Sequence, residues 1–260
     1  MRARLRSVDQ LMNFSKSSIV TKLKASSIHF SLSLIIFFIL AYQIYYNWYP
    51  VPYFSVDGGW QGIRLIALVD LVLGPLLTFL IFDLTKSRRA IIFDLSFIFV
   101  VQIAALIFGI VTTYQQRPVA IVLIDQFVIS TVESSYGSQL ESLEELNRFS
   151  SETPPIIFAD IPLSREVLDE VIRIKIENQI PEVAQIQLYQ PPSMFVTGLK
   201  NRQEFFLTLL GLSTALAGFE SWLEANQKQA ADILIAPFNG RYGRVWLLFD
   251  QNAKYLDYFE

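Results

Sequence analysis

Three long apolar runs in the first half of the chain constrain its fold more strongly than any other feature. They cover residues 27–46, 63–82 and 90–113. Each run has about 20 residues or more, which as a helix spans a hydrocarbon layer roughly 30 Å thick. A backbone in lipid must satisfy its own hydrogen bonds, so runs of this kind are expected to be helical. We therefore predict a membrane protein with three transmembrane α-helices.

The first run has a competing interpretation as a cleaved signal peptide. It is longer than the apolar core of a typical signal peptide, and no small-residue cleavage site follows it. We therefore expect it to remain in the protein, and we assign residues 27–113 to a three-helix membrane unit.

The charged residues are divided unequally between the two halves of the chain. Residues 1–113 carry ten Lys or Arg against five Asp or Glu, and residues 114–260 carry eleven against nineteen. Such asymmetry indicates two environments. Among the short segments, six basic residues precede the first run, three lie between the second and third, and none lies between the first and second.

This distribution predicts the orientation, because an excess of Lys and Arg stays in the cytoplasm. Residues 1–26 are then a basic cytoplasmic tail, and three crossings place residues 114–260 outside the cytoplasm. In a bacterium with two membranes that compartment is the periplasm. We therefore predict a multi-pass protein of the inner membrane, in contact with the lipid bilayer, that carries a soluble periplasmic domain.

The composition excludes several classes of function. There is no Cys, and the one His is His29, so residues 114–260 have no Ser-His-Asp or Cys-His site. Zinc ligands come mainly from Cys and His, so a metal site is not expected. The acidic outer half argues against nucleic acid as a partner, because phosphate binding needs a basic surface. From the composition we identify no catalytic residue and no cofactor site.

The outer half is predicted to be a mixed α+β domain. Its apolar periodicity alternates between short β-branched runs and one long helical stripe at 202–227. Ser213, Thr214, Glu220 and Glu224 argue against reading that stripe as a fourth crossing. The other expected elements are strands at 119–124, 127–132, 156–159, 233–237 and 244–250, a helix capped by Ser164 that ends near Asn178, and a helix from a capping box at Ser138–Glu141 to Phe149.

Asp70 is the most informative polar residue of the apolar runs. It lies about 11 Å inside the outer end of the second run, counted at about 1.5 Å per residue. A carboxyl group at that depth requires a partner. Arg64 is six residues away and does not share its helix face. Gln102 of the third run lies at a similar depth, so we predict that Asp70 contacts Gln102. The role of Asp70 is a structural helix–helix contact, a part in binding a partner's membrane helix, or a place in a proton path.

Three dipeptides that contain glycine predict local features of the backbone. Gly58-Gly59 indicates a turn in residues 47–61, an aromatic segment that we expect on the bilayer surface. Gly74-Pro75 predicts a helix kink. Asn239-Gly240 predicts a tight hairpin turn. Arg241 and Arg244 beside that turn could bind an anion, but exposed charges at turns usually have no specific role.

The stretch NWYPVPYFSVDGGWQGIRLIALVDLVLGPLLTFLIF resembles the signature of the TfpX/TfpZ type IV pilin accessory proteins, and VVQIAALIFGIVTTYQQRPVAIVL extends the resemblance into the outer domain. The positions that carry it are Gly58, Gly59, Trp60, Gly62, Arg64, Asp70, Gly74, Pro75, Gln102, Tyr114, Arg117 and Pro118.

The resemblance implies a non-enzymatic, chaperone-like protein of the inner membrane that stabilises the major type IV pilin and modulates pilus assembly. On this interpretation the candidate partner-binding residues are Trp60, Arg64, Asp70 and Gln102. The alternatives are a membrane-anchored periplasmic sensor or ligand-binding protein, and a membrane enzyme that would use only carboxylates, hydroxyls and lysines.

Overall fold

The chain divides into a helical unit and a mixed α/β unit. The computed structural model describes the backbone of residues 2–260 and the side chains of residues 19–260, so the first 18 side chains of the expected basic tail lie outside the described residues. Met1–Asn47 and Trp60–Tyr114 form the helical unit. Trp48–Gly59 and Gln115–Glu260 form the second unit, so the aromatic segment between the first two apolar runs belongs with the outer domain.

Three stretches of helix are long and apolar enough to cross a membrane: Ile19–Trp48, Gly59–Ile81 and Arg88–Gln115. They agree with the three predicted runs. Many of their apolar side chains, such as Phe93 and Phe108, are exposed, which suits helices surrounded by lipid. The elements are α1 (Arg2–Gln43), a π-helical turn (Ile44–Trp48), α2 (Tyr53–Val56) in the second unit, α3 (Gly59–Ala67), a second π-helical turn (Leu68–Leu73), α4 (Gly74–Ile81) and α5 (Arg88–Gln115).

At Gly74-Pro75, where the sequence predicts a kink, the structure has a π-helical turn that ends at Leu73, two residues before the proline. The N–H of Gly74 donates to the carbonyl oxygen of Val69, five residues back. Pro75 then lies in the first turn of α4, where its missing N–H is tolerated. Single π-helical turns of this kind are a known cause of bends in helices.

The second unit is built on one six-stranded sheet. Its strands are β1 (Ala120–Ile124), β2 (Phe127–Thr131), β3 (Ile156–Ala159), β4 (Leu234–Asn239), β5 (Arg244–Phe249) and β6 (Tyr255–Phe259). The order across the sheet is β3-β1-β2-β4-β5-β6. Strands β1 and β3 pair in parallel, as do β2 and β4, and the other neighbours are antiparallel.

Apolar cores cover both faces of the sheet. In β1, Ile121 and Leu123 join one core while Ala120 and Val122 join the other, as the alternation of a strand requires. The helices of this unit are α6 (Arg165–Glu177), α7 (Pro192–Lys200), α8 (Gln203–Gly211) and α9 (Leu216–Asn226). The side chains of α7, α8 and α9 enter the first core, and those of α6 enter the second.

The prediction of one long helix at 202–227 is wrong in one respect, because the structure has two helices there. Helices α8 and α9 are bent by 110° at the break between them. Phe206 of α8 and Phe219 of α9 both pack into the sheet core, which a straight helix of that length could not achieve against one curved face. The polar residues Ser213 and Thr214 lie at the break.

Sheet pairing also explains why the α8–α9 pair is not a membrane crossing. Strand β2 precedes the pair in sequence and β4 follows it, yet Val128 and Ile129 of β2 pair with Phe238 and Asn239 of β4. A single crossing between them would place two hydrogen-bonded strands on opposite sides of a bilayer.

Two further local predictions need correction. The capping box expected at Ser138 lies four residues later, where Ser142 and Glu145 cap a short 3₁₀ helix (Leu143–Arg148). The last hairpin turns through residues 240–243 rather than at Asn239-Gly240, because Asn239 is still paired with Arg244 in the ladder. Strand β6 and helix α7 have no counterpart in the sequence-based prediction.

The packing of α8 leads to a prediction about neighbouring phenylalanines. Phe206 is fully buried and Phe205 is 41% exposed. Phe206→Ala should lower the free energy of unfolding of the second unit by about 3–5 kcal/mol, because it removes a large side chain from the core. Phe205→Ala should change it by about 1 kcal/mol or less. Thermal unfolding of both full-length variants in detergent measures the difference, and equal losses would contradict the placement of α8.

Candidate functional site

Polar side chains from three helices meet inside the helical unit. The Gln102 amide donates to Asp70 Oδ1 at 2.5 Å, which confirms the predicted contact. The Ser33 hydroxyl of α1 donates to the same oxygen at 3.0 Å. Gln102 Nε2 also lies 3.4 Å from Ser33 Oγ. The three side chains therefore link α1, the π-helical turn that precedes α4, and α5.

Two more contacts extend this polar seam along α1 and α4. His29 Nδ1 lies 2.6 Å from Thr78 Oγ1. The Ser26 hydroxyl donates to the carbonyl oxygen of Pro75 at 2.8 Å. Hydrogen bonds between helices are a main source of association where no water competes for the polar groups. The seam thus fixes how α1 packs against α4.

Gly74 provides the space that Gln102 needs. A Cβ atom at Gly74 would lie 2.6 Å from both terminal atoms of the Gln102 amide. Since real Cβ atoms do not approach that closely, any larger residue would push Gln102 away from Asp70. The predicted structural role of Gly74 is therefore steric as well as conformational.

Asp70 is only partly satisfied by these partners. The residue is 1% exposed, and among the described residues no donor lies within hydrogen-bonding distance of its second carboxyl oxygen, Oδ2. A buried polar atom without a partner is costly, by roughly 1–3 kcal/mol even when neutral. This oxygen is consequently the one place in the seam that favours an additional hydrogen-bond donor.

The seam forms the floor of a groove within the helical unit, with a volume of about 590 Å³. Side chains of α1 and α5, including Leu32 and Phe99, form its walls, and Ser33, Asp70 and Gln102 lie at its base. Most of the lining is apolar. The groove therefore combines an apolar surface with a small polar centre.

Trp60 and Arg64 lie apart from this cluster, at the start of α3. The Arg64 guanidinium is 5.0 Å from the centre of the Trp60 ring, the arrangement of a cation–π contact. Both side chains are exposed. Of the four candidate partner-binding residues, the structure brings Asp70 and Gln102 together and leaves Trp60 and Arg64 as a separate pair.

The segment Trp48–Gly59 is an integral part of the second unit. Tyr53 is buried in its core, with its ring 5.1 Å from that of Phe238. The N–H of Tyr242 donates to the carbonyl oxygen of Val56 at 2.8 Å. Tyr49 is also buried. The expectation that these tyrosines lie on a bilayer surface is therefore wrong, because protein side chains cover them.

Arg241 and Asp57 form the central ion pair of this unit. Arg241 Nε donates to Asp57 Oδ1 at 3.0 Å, and the backbone N–H of Arg241 donates to the same oxygen at 3.1 Å. Arg241 Nη2 donates to the carbonyl oxygens of both Asp57 and Gln116, each at 2.5 Å. Asp57 is fully buried. Arg241 therefore has a specific structural partner, in contrast to the expectation from the sequence.

The electrostatic environment keeps Arg241 charged. Burial by itself would lower the pKa of Arg241, but the hydrogen bonds and charge of Asp57 outweigh it and raise that pKa above its usual range. Burial also raises the pKa of Tyr49, beside Arg241, to about 12, although the guanidinium acts in the opposite direction. Tyr49 is therefore neutral at physiological pH and presents a hydroxyl to Arg241.

The predicted turn glycines lie directly around the ion pair. Gly58 has φ of 121°, a conformation that other residues rarely adopt. A Cβ at Gly59 would lie 2.5 Å from the Phe54 ring. One at Gly240 would lie 2.4 Å from the carbonyl oxygen of Val56. These glycines let two turns, 184 residues apart in sequence, approach each other closely.

The two polar clusters, around Asp70 and around Asp57, consist of hydrogen-bonded and ion-paired side chains. In the part of the chain that the structure describes, no three His, Cys, Asp or Glu side chains lie close enough together to hold a metal ion. The chemistry that the clusters offer is hydrogen bonding and packing.

Comparison with known proteins identifies the family. A fimbrial assembly protein of serogroups C1 and C2 from Dichelobacter nodosus is 41% identical over 99 residues, which are 38% of this chain and 76% of the relative. The chain belongs to the fimbrial assembly protein family. The sequence model of the fimbrial assembly protein FimB matches residues 17–58, which include Ser33 and end just after Asp57.

Two other members of the family from Dichelobacter nodosus match different lengths of this chain. The serogroup E1 fimbrial assembly protein is 30% identical over 197 residues, which are 76% of this chain and 62% of the relative. The serogroup I protein is 41% identical over 99 residues, 38% of each chain. The chain therefore spans less than two thirds of these two relatives. No solved structure matches it significantly.

The hydrogen bond between Gln102 and Asp70 predicts that both side chains contribute equally to the stability of the helical unit. Gln102→Leu and Asp70→Asn should each lower the free energy of unfolding of the helical unit by about 1–3 kcal/mol, because the first removes the donor of the buried hydrogen bond and the second replaces its carboxyl acceptor by a weaker amide oxygen and buries an NH2 group without an acceptor. Phe108→Leu, at an exposed position of α5, is the matched control and should have little effect. Thermal unfolding in detergent tests this, and a silent Gln102→Leu beside a damaging Asp70→Asn would contradict the pairing.

The ion pair predicts a strong effect at Asp57. Asp57→Ala should lower the free energy of unfolding of the second unit by about 3 kcal/mol, the lower end for a broken buried pair, because Arg241 is 32% exposed. Arg244→Ala, three residues further along the chain, is the control and should cost less than about 1 kcal/mol.

A double-mutant cycle with Arg241→Ala isolates the coupling. If the ion pair acts as the structure indicates, the double variant is little less stable than Asp57→Ala alone. Additive losses would mean that the two side chains act independently.

Proposed function

We propose that this chain is a non-enzymatic accessory protein of the bacterial inner membrane that stabilises the major type IV pilin and modulates pilus assembly. The observation that carries the proposal is the membership of the fimbrial assembly protein family, with 41% identity to one relative over 99 residues. The finer assignment to the TfpX/TfpZ pilin accessory proteins rests on the residues around Gly58, Asp70 and Gly74.

The three apolar helices support a location in the membrane. Each is long enough to cross it, and the polar side chains of Ser33, Asp70 and Gln102 lie in the internal seam. Lipid-facing surfaces are otherwise apolar, as expected for polar residues that are expensive to expose there.

The second unit supports the proposed topology. Residues 48–59 lie between the first two helices, and residues 115–260 follow the third, yet both belong to one unit. They must therefore occupy one side of a membrane. Two crossings between them satisfy this condition, and the distribution of Lys and Arg favours the periplasmic side for this unit.

Such an arrangement suits a helper for pilin. A pilin subunit in the membrane combines one apolar helix with a globular periplasmic head, so a helper needs a membrane surface for the helix and an outer domain for the head. This chain offers both kinds of surface, and it needs only packing and hydrogen bonds to use them.

Deletion of the gene tests the proposal. We expect pilin protein and surface pili to fall several-fold while pilin transcript stays unchanged, because pilin without its helper is degraded or fails to assemble. Immunoblots, electron microscopy and transcript quantification measure the three quantities. Complementation with the intact gene should restore both, and normal pilin level and piliation in the deletion strain would overturn the proposal.

A further inference from the structure

The groove of the helical unit has the dimensions of a helix-binding site. Its lining on α1 runs from Ala25 to Ile36, and its lining on α5 runs from Leu95 to Leu106. Each wall thus covers eleven helical steps, about 16 Å along the axis at 1.5 Å per residue. The lining residues recur every three or four positions, so they form one stripe along each helix. The lining of the groove is therefore as long as three turns of another helix.

The base of the groove indicates what that helix carries. Asp70 lines the groove, is 1% exposed, and has one carboxyl oxygen without a hydrogen-bond partner among the described residues. A lipid acyl chain has no donor to offer this oxygen, whereas Ser, Thr, Asn and Gln side chains donate hydrogen bonds between membrane helices. The polar base therefore favours a protein helix over lipid.

We propose that this groove receives one transmembrane helix of a partner protein, and that a hydroxyl or amide side chain of that helix packs against the polar base formed by Ser33, Asp70 and Gln102. The inference rests on the proposed function, which makes the major pilin the partner. The walls provide apolar contact along three helical turns, and Asp70 sets the depth at which the polar side chain of the partner must lie.

The absence of Cys from the sequence permits a direct test, because any introduced Cys is unique. Leu32→Cys and Phe99→Cys place a thiol on the two walls of the groove, where the native side chains are 59% and 65% exposed. Ile35→Cys and Val100→Cys are matched controls, since these positions are 60% and 63% exposed but do not line the groove.

Each full-length variant is expressed in the piliated host in place of the native chain, and its thiol is labelled in membranes with a benzophenone maleimide. After irradiation, adducts are probed with antibodies against the major pilin and against this chain. We expect a pilin adduct from positions 32 and 99 and its loss at positions 35 and 100. Restored piliation shows that each variant is folded.

Three results would overturn the inference: equal pilin adducts from all four positions, adducts with lipid alone from the groove, or adducts only with a second copy of this chain. If the deletion strain loses pili but the groove gives no pilin adduct, the proposed function stands and the groove assignment fails. Normal piliation in the deletion strain would instead overturn the proposed function, and with it the choice of pilin as the occupant.

Discussion

The ion pair between Asp57 and Arg241 is the interaction on which the architecture of the second unit depends. A fully buried carboxylate must be paired, because an uncompensated charge in the interior costs several kcal/mol. Arg241 provides the counter-charge together with its own backbone N–H, and the same guanidinium contacts Gln116. The segment between the first two apolar helices thereby becomes part of the sheet domain, with Tyr53 in its core.

The helical unit follows the same rule that buried polar groups are paired. Its polar side chains are paired across helices, from His29 and Thr78 to Asp70, Ser33 and Gln102. The pairing at Asp70 leaves one carboxyl oxygen without a donor at the base of an apolar groove. An apolar groove with one polar position is the surface through which we propose that this chain recognises a partner's membrane helix.

Much of the helical unit could be predicted because lipid imposes one-dimensional rules. Length and hydropathy alone locate the three helices, and counting residues from the membrane boundary places Asp70 and Gln102 at one depth. The third partner, Ser33, could not be found in this way, since Ser is common in apolar helices and its depth alone does not distinguish it. In the outer domain, the β1–β2 hairpin and the cap at Ser164 were predictable because they depend on neighbouring residues.

The sequence by itself therefore determined which segments suit lipid, which form local hairpins and capped helices, and that Asp70 requires a partner. Only the tertiary structure decided that Asp57 meets Arg241, that the helix expected at 202–227 breaks into two, and that Tyr49 and Tyr53 of the aromatic segment are buried in protein. The physical reason is the same in each case. These outcomes depend on which distant surface a segment packs against, and local periodicity contains no information about that surface.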